Sequence, residues 1–188
     1  MPSFGYLSTY GDKDLVLPRA PFHDMSEWSK VNFLYTPKTR AELAAMLRES
    51  HAPQRFGRFV HVVEHETGHR LLAEVEDTKI ALTSREDFNA PLGFVEHGFA
   101  VVTTRTDFEA AVEKHVTAIA ASAGECLRQA GVAAGDVGLV ILTGGTTEVP
   151  ALRRAICDIF PAARVSEEDK LASVGLGLGH DSLRRFRA

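Results

Sequence analysis

Apolar residues recur at helical spacing over 36–50, where Leu43, Met46 and Leu47 form one stripe, so this stretch predicts an amphipathic helix. Thr36 stands where an N-cap belongs and Pro37 suits the first turn. His51-Ala-Pro-Gln54 is a break. A second helical pattern runs from about 54 to 84, bent or interrupted near Gly68. From 87 to 104 the period changes to alternation around Pro91-Leu-Gly93 and His97-Gly98, which predicts a β-hairpin. A long helix follows over 106–130, with Thr106 and Glu109 spaced as a capping box and Asp107 in its first turn. Val137 to Leu142 is a short run rich in β-branched residues and reads as a buried strand over 137–143. A helix over 149–160, a short strand near 163–165 and a helix over 169–186 complete the pattern. The first 33 residues show no long period and are punctuated by Pro18 and Pro21; they read as irregular, with strand pieces such as Leu15-Val-Leu17.

Composition adds boundaries. A chain of 188 residues has room for one or two small domains with a real core. No run approaches a membrane helix in length, so no membrane partner is expected. A net charge of -4 gives no general attraction to nucleic acid. The start of the chain lacks the basic-then-apolar pattern of a signal peptide. Cys126 and Cys157 have neither metal nor redox spacing and read as two buried thiols in a reducing, cytoplasmic setting.

Two patterns carry candidate chemistry. In the first, the strand over 137–143 runs into Gly144-Gly145, then Thr146-Thr147, then Pro150 and a helix. Strand, glycine pair and helix start together make an anion-holding device, because glycine lets another group approach the backbone N–H groups and the helix dipole adds positive potential. An ordinary tight turn has the same spelling. In the second, His61-Val-Val-Glu64-His65 matches the spacing of a zinc hydrolase, two imidazoles four residues apart with a glutamate as base, and His69 extends it. A solvated, histidine-rich helix face, with His51 nearby, is the alternative reading.

Beyond the spacing, the order of segments resembles the end of the ATPase domain of the 70-kDa heat-shock protein chaperones, the DnaK-type branch of the actin-like (ribonuclease H-like) fold. The resemblance rests on Arg105-Thr-Asp-Phe-Glu109 at a helix start, on Gly144-Gly-Thr-Thr-Glu-Val-Pro150 after a strand, and on Glu76-Asp-Thr-Lys-Ile-Ala-Leu-Thr-Ser84. The Lys-Ile-Ala-Leu form, with a Pro- and Trp-containing stretch at about 15–32, is most similar to YegD-like homologues. The likeness is specific from Glu74 to Gly177.

This resemblance implies an α/β lobe fragment of that fold: a lid-like (IIB-type) part over 1–104 and half of a nucleotide-binding core (IIA-type) over 105–188. It implies ATP or ADP as cofactor, bound through Glu76, Lys79 and Thr83 at ribose and adenine, Gly144, Gly145 and Thr146 at phosphate and ribose, and Asp169 near adenosine. The family places the base between two arginines, at positions held here by Ile80 and Glu148. The family's two phosphate hairpins, of Asp-Leu-Gly-Thr-Thr and Gly-Gly-Gly-Thr-Phe-Asp type, do not occur in this sequence. The chain is therefore expected to correspond to the C-terminal part of a longer ATPase domain. On that expectation it lacks catalytic and Mg²⁺-holding residues, does not hydrolyse ATP alone, and has a nucleotide-exchange factor or a second copy of itself as partner. A lid freed to act as a protein-interaction module is the other function this resemblance allows.

Overall fold

The computed structural model describes residues 9–10, 15–166 and 173–186, with side chains described for 16–166 and 175–186. The chain divides into two compact units, Met1–Thr104 and Arg105–Ala188.

In the first unit β1 (Thr9–Tyr10) pairs antiparallel with β2 (Leu15–Val16). Then come α1 (Ala20–Met25), a 3-10 turn (Val31–Tyr35), α2 (Pro37–Arg48), α3 (Pro53–Glu64), α4 (Gly68–Ser84), and a hairpin of β3 (Asp87–Pro91) and β4 (Ala100–Thr104). Pro21, Pro37 and Pro53 each open a helix, where the missing N–H costs nothing. The Thr36 hydroxyl accepts from the Thr39 N–H at 3.2 Å, so the cap forms as spelled. The core is built around α3, whose Phe56, Phe59, Val60, Val62 and Val63 are buried against Met25, Leu34, Leu43 and Leu71. α1 and the 3-10 turn lie where irregular chain was expected. They are too short to show a period, and burial of Met25, Val31 and Leu34 fixes them instead.

The helical pattern over 54–84 is two helices, broken by a C-terminal cap. The Thr67 N–H donates to the Val62 carbonyl at 3.0 Å and the Glu66 N–H to that of Val63 at 3.3 Å, the two bonds of a Schellman motif. Its left-handed position is filled by Glu66, with φ of 54°. The same motif ends α5, where Val132 donates to Leu127 and Gly131, with φ of 65°, donates to Arg128. Glycine takes that conformation freely, whereas a glutamate pays about 1–2 kcal/mol for it. Arg40 on α2 forms an ion pair with Glu66, tying the strained corner to a neighbouring helix.

The second unit contains α5 (Arg105–Ala130), β5 (Leu139–Ile141), α6 (Pro150–Ile159), β6 (Arg164–Ser166) and α7 (Ser173–Arg185). β5 and β6 are parallel, with Val140 opposite Val165, and α6 is the crossover such a pair requires. The Arg164 N–H to Gly138 and Leu142 N–H to Ser166 bonds carry the pairing one residue beyond the strand at each end. α5 begins at Arg105, so Thr106 is already inside the helix and the expected capping box does not form. Glu109 instead accepts from Arg154 on α6, whose Nη2 lies 2.9 Å from each of its carboxylate oxygens.

No residue of α5 is fully buried. Cys126 on α5 is exposed and Cys157 on α6 is half-buried, which corrects the expectation of two buried thiols. The apolar strand is not buried either: Leu139 and Ile141 are 44% and 65% exposed.

Candidate nucleotide-binding site

Glu76, Lys79 and Thr83 follow one another at helical spacing on α4, so they share a face. The Lys79 ammonium lies 2.5 Å from the Glu76 carboxylate, and Glu76 is the more exposed of the two. The lysine charge is compensated in the free protein, and a ligand with hydroxyls can slot between the pair by accepting from one and donating to the other. The Thr83 hydroxyl donates to the Ile80 carbonyl at 2.7 Å, which leaves its oxygen lone pairs as acceptors. The Ile80 side chain, beside Lys79, is 56% exposed.

The glycine pair lies in the second unit, past the end of β5. Gly144 has φ of 88° and ψ of 151°, a region essentially closed to residues with a Cβ. A 3-10 turn, Gly145–Glu148, begins on the second glycine and separates Gly144 from the first residue of α6, Pro150. The glycine pair therefore leads into a tight turn, and the helix proper starts five residues after Gly145. The Thr147 hydroxyl and N–H both donate to the Gly144 carbonyl, at 2.7 and 3.1 Å, and the Val149 N–H closes on Thr146 at 3.2 Å. A Cβ placed on Gly144 or on Gly145 would meet nothing within 4 Å. The surface over the turn is open, and the backbone can be approached by another molecule. Asp169 lies outside the described residues.

The histidine motif does not assemble a metal site. The His61 Nε2 is committed to the Phe94 carbonyl at 3.1 Å, and the His65 Nδ1 to the His61 carbonyl at 3.0 Å. The two rings are stacked, centroids 3.9 Å apart and planes 26° from parallel, so their remaining nitrogens do not converge on one point. His69 is turned elsewhere, with Nε2 at 3.2 Å from the Asn32 amide oxygen and its ring 4.5 Å from that of Trp28. Among the described residues no group of three His, Cys, Asp or Glu side chains could hold a metal ion. Helical spacing brings imidazoles side by side without fixing where their lone pairs point.

Two features of the first unit escape a reading of the spacing. Gly68 is wedged where a Cβ would lie 2.6 Å from Val31, 2.7 Å from the Tyr35 hydroxyl and 2.9 Å from the Met25 sulfur. The loop between β3 and β4 is clamped to α3: Arg58 pairs with Glu96, Gln54 reaches the same carboxylate, and the Arg58 guanidinium lies 3.9 Å over the Phe99 ring. Arg58 holds the Glu96 carboxyl below the usual carboxylate range, only partly opposed by desolvation. The partners are 38 residues apart, beyond the reach of any periodicity.

The fold is α/β, and in the second unit an open glycine turn follows a parallel strand and leads through a 3-10 turn into α6. Residues 60–176 match the family model described as Hsp70 protein. The chain belongs to the Hsp70 family, which implies the actin-like ATPase fold. It is 29% identical over 124 residues to the "Chaperone protein HscA homolog" of Shewanella oneidensis, an alignment covering 64% of this chain and 20% of that protein. It is 31% identical over 112 residues to the "Heat shock 70 kDa protein, mitochondrial" of Pisum sativum, covering 55% of this chain and 17% of that protein. The chain thus spans about a fifth of the length of the curated relatives it matches. No helix among the described residues is long and apolar enough to cross a membrane.

Proposed function

We propose that this chain contributes the adenosine-facing part of an Hsp70-family chaperone ATPase, of DnaK type and most similar to its YegD-like members. The first unit acts as the lid and the second as part of the nucleotide-binding core. On this reading Glu76 and Lys79 hold the ribose hydroxyls, Thr83 faces adenine, and Gly144, Gly145 and Thr146 receive phosphate and ribose oxygens, with Asp169 assisting at adenosine. The observation that carries the reading is the Gly144 turn: a glycine-only conformation at the end of a parallel strand, with open space above it, within a chain of this family.

Phosphoryl transfer is positioning and charge compensation around phosphates and Mg²⁺. The groups named here address the nucleoside and one phosphate face, so the chain binds ADP or ATP but does not hydrolyse ATP by itself. The setting we assign is the cytoplasm. Calorimetric titration of the chain with Mg·ADP, repeated with the remaining family domain supplied in trans, tests the reading. Heat that appears or grows with the added domain, and is lost in Gly145→Val, supports it. No binding under either condition rejects it.

A second reading is a protein-interaction module, the lid surface serving as a dock for a nucleotide-exchange factor. The self-contained core of the first unit favours it, since Phe56, Phe59 and Val62 are sealed within that unit's own helices. Nucleotide binding that is absent while the first unit, expressed alone, folds and captures an exchange factor would favour this reading over the other.

A further inference from the structure

Among the described residues, three buried side-chain polar atoms find no hydrogen-bond partner within the protein: Arg40 Nε, Thr67 Oγ1 and His69 Nδ1. All three belong to one corner. Thr67 and His69 flank Gly68 at the start of α4, and Arg40 reaches across from α2 to pair with Glu66. The groups beside them are committed elsewhere. The Gly68 N–H donates to the Tyr35 hydroxyl at 3.0 Å, and the His69 Nε2 lies 3.2 Å from the Asn32 amide oxygen with its ring against Trp28. Buried polar groups are ordinarily paired, with protein or with ordered water, because an unpaired one keeps its full desolvation cost. Three such atoms at one turn point to one cause. We infer that the α3–α4 corner is a water site, closed by one or more ordered waters that bridge Arg40, Thr67 and His69.

The three atoms select their guest. The Arg40 Nε–H can only donate. The Asn32 amide oxygen accepts, which assigns the His69 proton to Nε2 and leaves Nδ1 as an acceptor. The Thr67 hydroxyl does both. A guest that serves all three must accept from the arginine and donate to the imidazole. A metal cation cannot accept the Arg40 hydrogen. An anion without a proton cannot donate to His69, and it would meet the Glu66 carboxylate that Arg40 already holds. Water does both, and this corner offers it the several polar partners a buried water needs. The backbone explains why no protein group takes its place on Thr67. That residue stands at the N-cap of α4, yet its side chain makes no capping bond. Its N–H closes α3 on the Val62 carbonyl and its own carbonyl accepts from Leu71, both at 3.0 Å. With the backbone held on both sides, the hydroxyl stays off the first-turn N–H groups.

A high-resolution crystal structure of the chain gives the first test. Density for a water within about 2.7–3.2 Å of Thr67 Oγ1, and of Arg40 Nε or His69 Nδ1, is expected. A Thr67 hydroxyl turned onto a backbone N–H of α4, a bound ion in place of water, or no density at these atoms would overturn the inference. Thr67→Val, which keeps the shape and removes the hydroxyl, gives the second test. A hydroxyl bonded to water contributes to stability, so the unfolding equilibrium constant should rise roughly two- to tenfold, and Thr67→Ser should recover most of the loss. A hydroxyl left unpaired predicts the opposite, because its removal relieves a desolvation cost that nothing offsets. An unfolding constant that falls or stays the same in Thr67→Val therefore rejects the water site.

Discussion

The Tyr35 hydroxyl accepts the backbone N–H of Gly68 at 3.0 Å, and a Cβ on Gly68 would stand 2.7 Å from that same oxygen. One contact thus sets both the start of α4 and the residue allowed there. The close approach also meets Val31 and Met25, both buried, so the neighbours have no room to retreat. Gly68→Ala should cost about 1–3 kcal/mol, the range for overpacking a filled core. Denaturant unfolding of the purified variant checks this, and a change below half a kcal/mol would mean the corner relaxes.

The same tyrosine makes the first unit sensitive to alkali. Burial of the phenol pushes its ionisation above the ordinary tyrosine value, with Glu66 acting in the same direction, while the Gly68 bond and Arg40 work against it. Because the folded value is the higher one, this stabilisation is fully present below about pH 10 and is lost as the pH rises through the folded value. Tyr35→Phe should lower stability at neutral pH by about 1 kcal/mol, through the unpaired Gly68 N–H, and flatten the decline above pH 10. Thermal unfolding from pH 8 to 11.5 on both proteins would show equal slopes if Tyr35 is not the group involved.

The two glycines of the strand–helix turn should part company. Gly144 occupies a conformation closed to other residues, so Gly144→Ala should destabilise the second unit by about 1–3 kcal/mol although open space surrounds it. Gly145 lies in the 3-10 turn with equally open space, so Gly145→Ala should leave stability nearly unchanged and act on ligand approach instead. Melting curves paired with ADP titration distinguish the effects. Equal destabilisation by both substitutions would show that the turn is rigid throughout and not open for binding.

Parallel strands are ordinarily covered on both faces, yet Leu139 and Ile141 stand exposed on β5. An open apolar strand seeks a partner, so the chain at rising concentration should self-associate. Light scattering should report oligomers that the pair Leu139→Thr and Ile141→Thr reduces. A strictly monomeric wild-type sample at all concentrations would count against it.

Legibility followed the range of the interactions. Local signals placed α2 with its Thr36 cap, the break at Gly68, the β3–β4 hairpin and the βαβ order of the second unit. Where long-range packing decides, spacing was silent or misleading. Glu109 spelled a cap but answers to Arg154, 45 residues away, and Met25 and Val31 order a segment with no period of its own. His61 and His65 spelled a metal site, but the direction of each ring is set by the Phe94 and His61 carbonyls. At the candidate nucleotide site, the helical spacing of Glu76, Lys79 and Thr83 was readable, and the 3-10 turn between Gly144 and α6 was not.

The two positions where this chain departs from its family's pattern give the last prediction. The resemblance places adenine between two arginine planes, and here those positions hold Ile80, exposed on α4, and Glu148, at the end of the 3-10 turn. An arginine over a base contributes about 0.5–2 kcal/mol of stacking and cation–π attraction. Ile80 keeps apolar contact without charge, and the Glu148 carboxylate opposes an incoming polyphosphate. The natural protein should therefore bind adenine nucleotides roughly ten- to a hundredfold more weakly than a two-arginine site, taking about 1.4 kcal/mol per decade, and should discriminate poorly between adenine and guanine. Ile80→Arg together with Glu148→Arg, in the chain combined with the phosphate-binding lobe of an Hsp70-family ATPase, should recover that affinity and the preference for ADP over GDP. If calorimetry shows the same ADP affinity before and after the double change, the base does not lie between these positions, and the assignment of Glu76, Lys79 and Thr83 to adenosine falls with it.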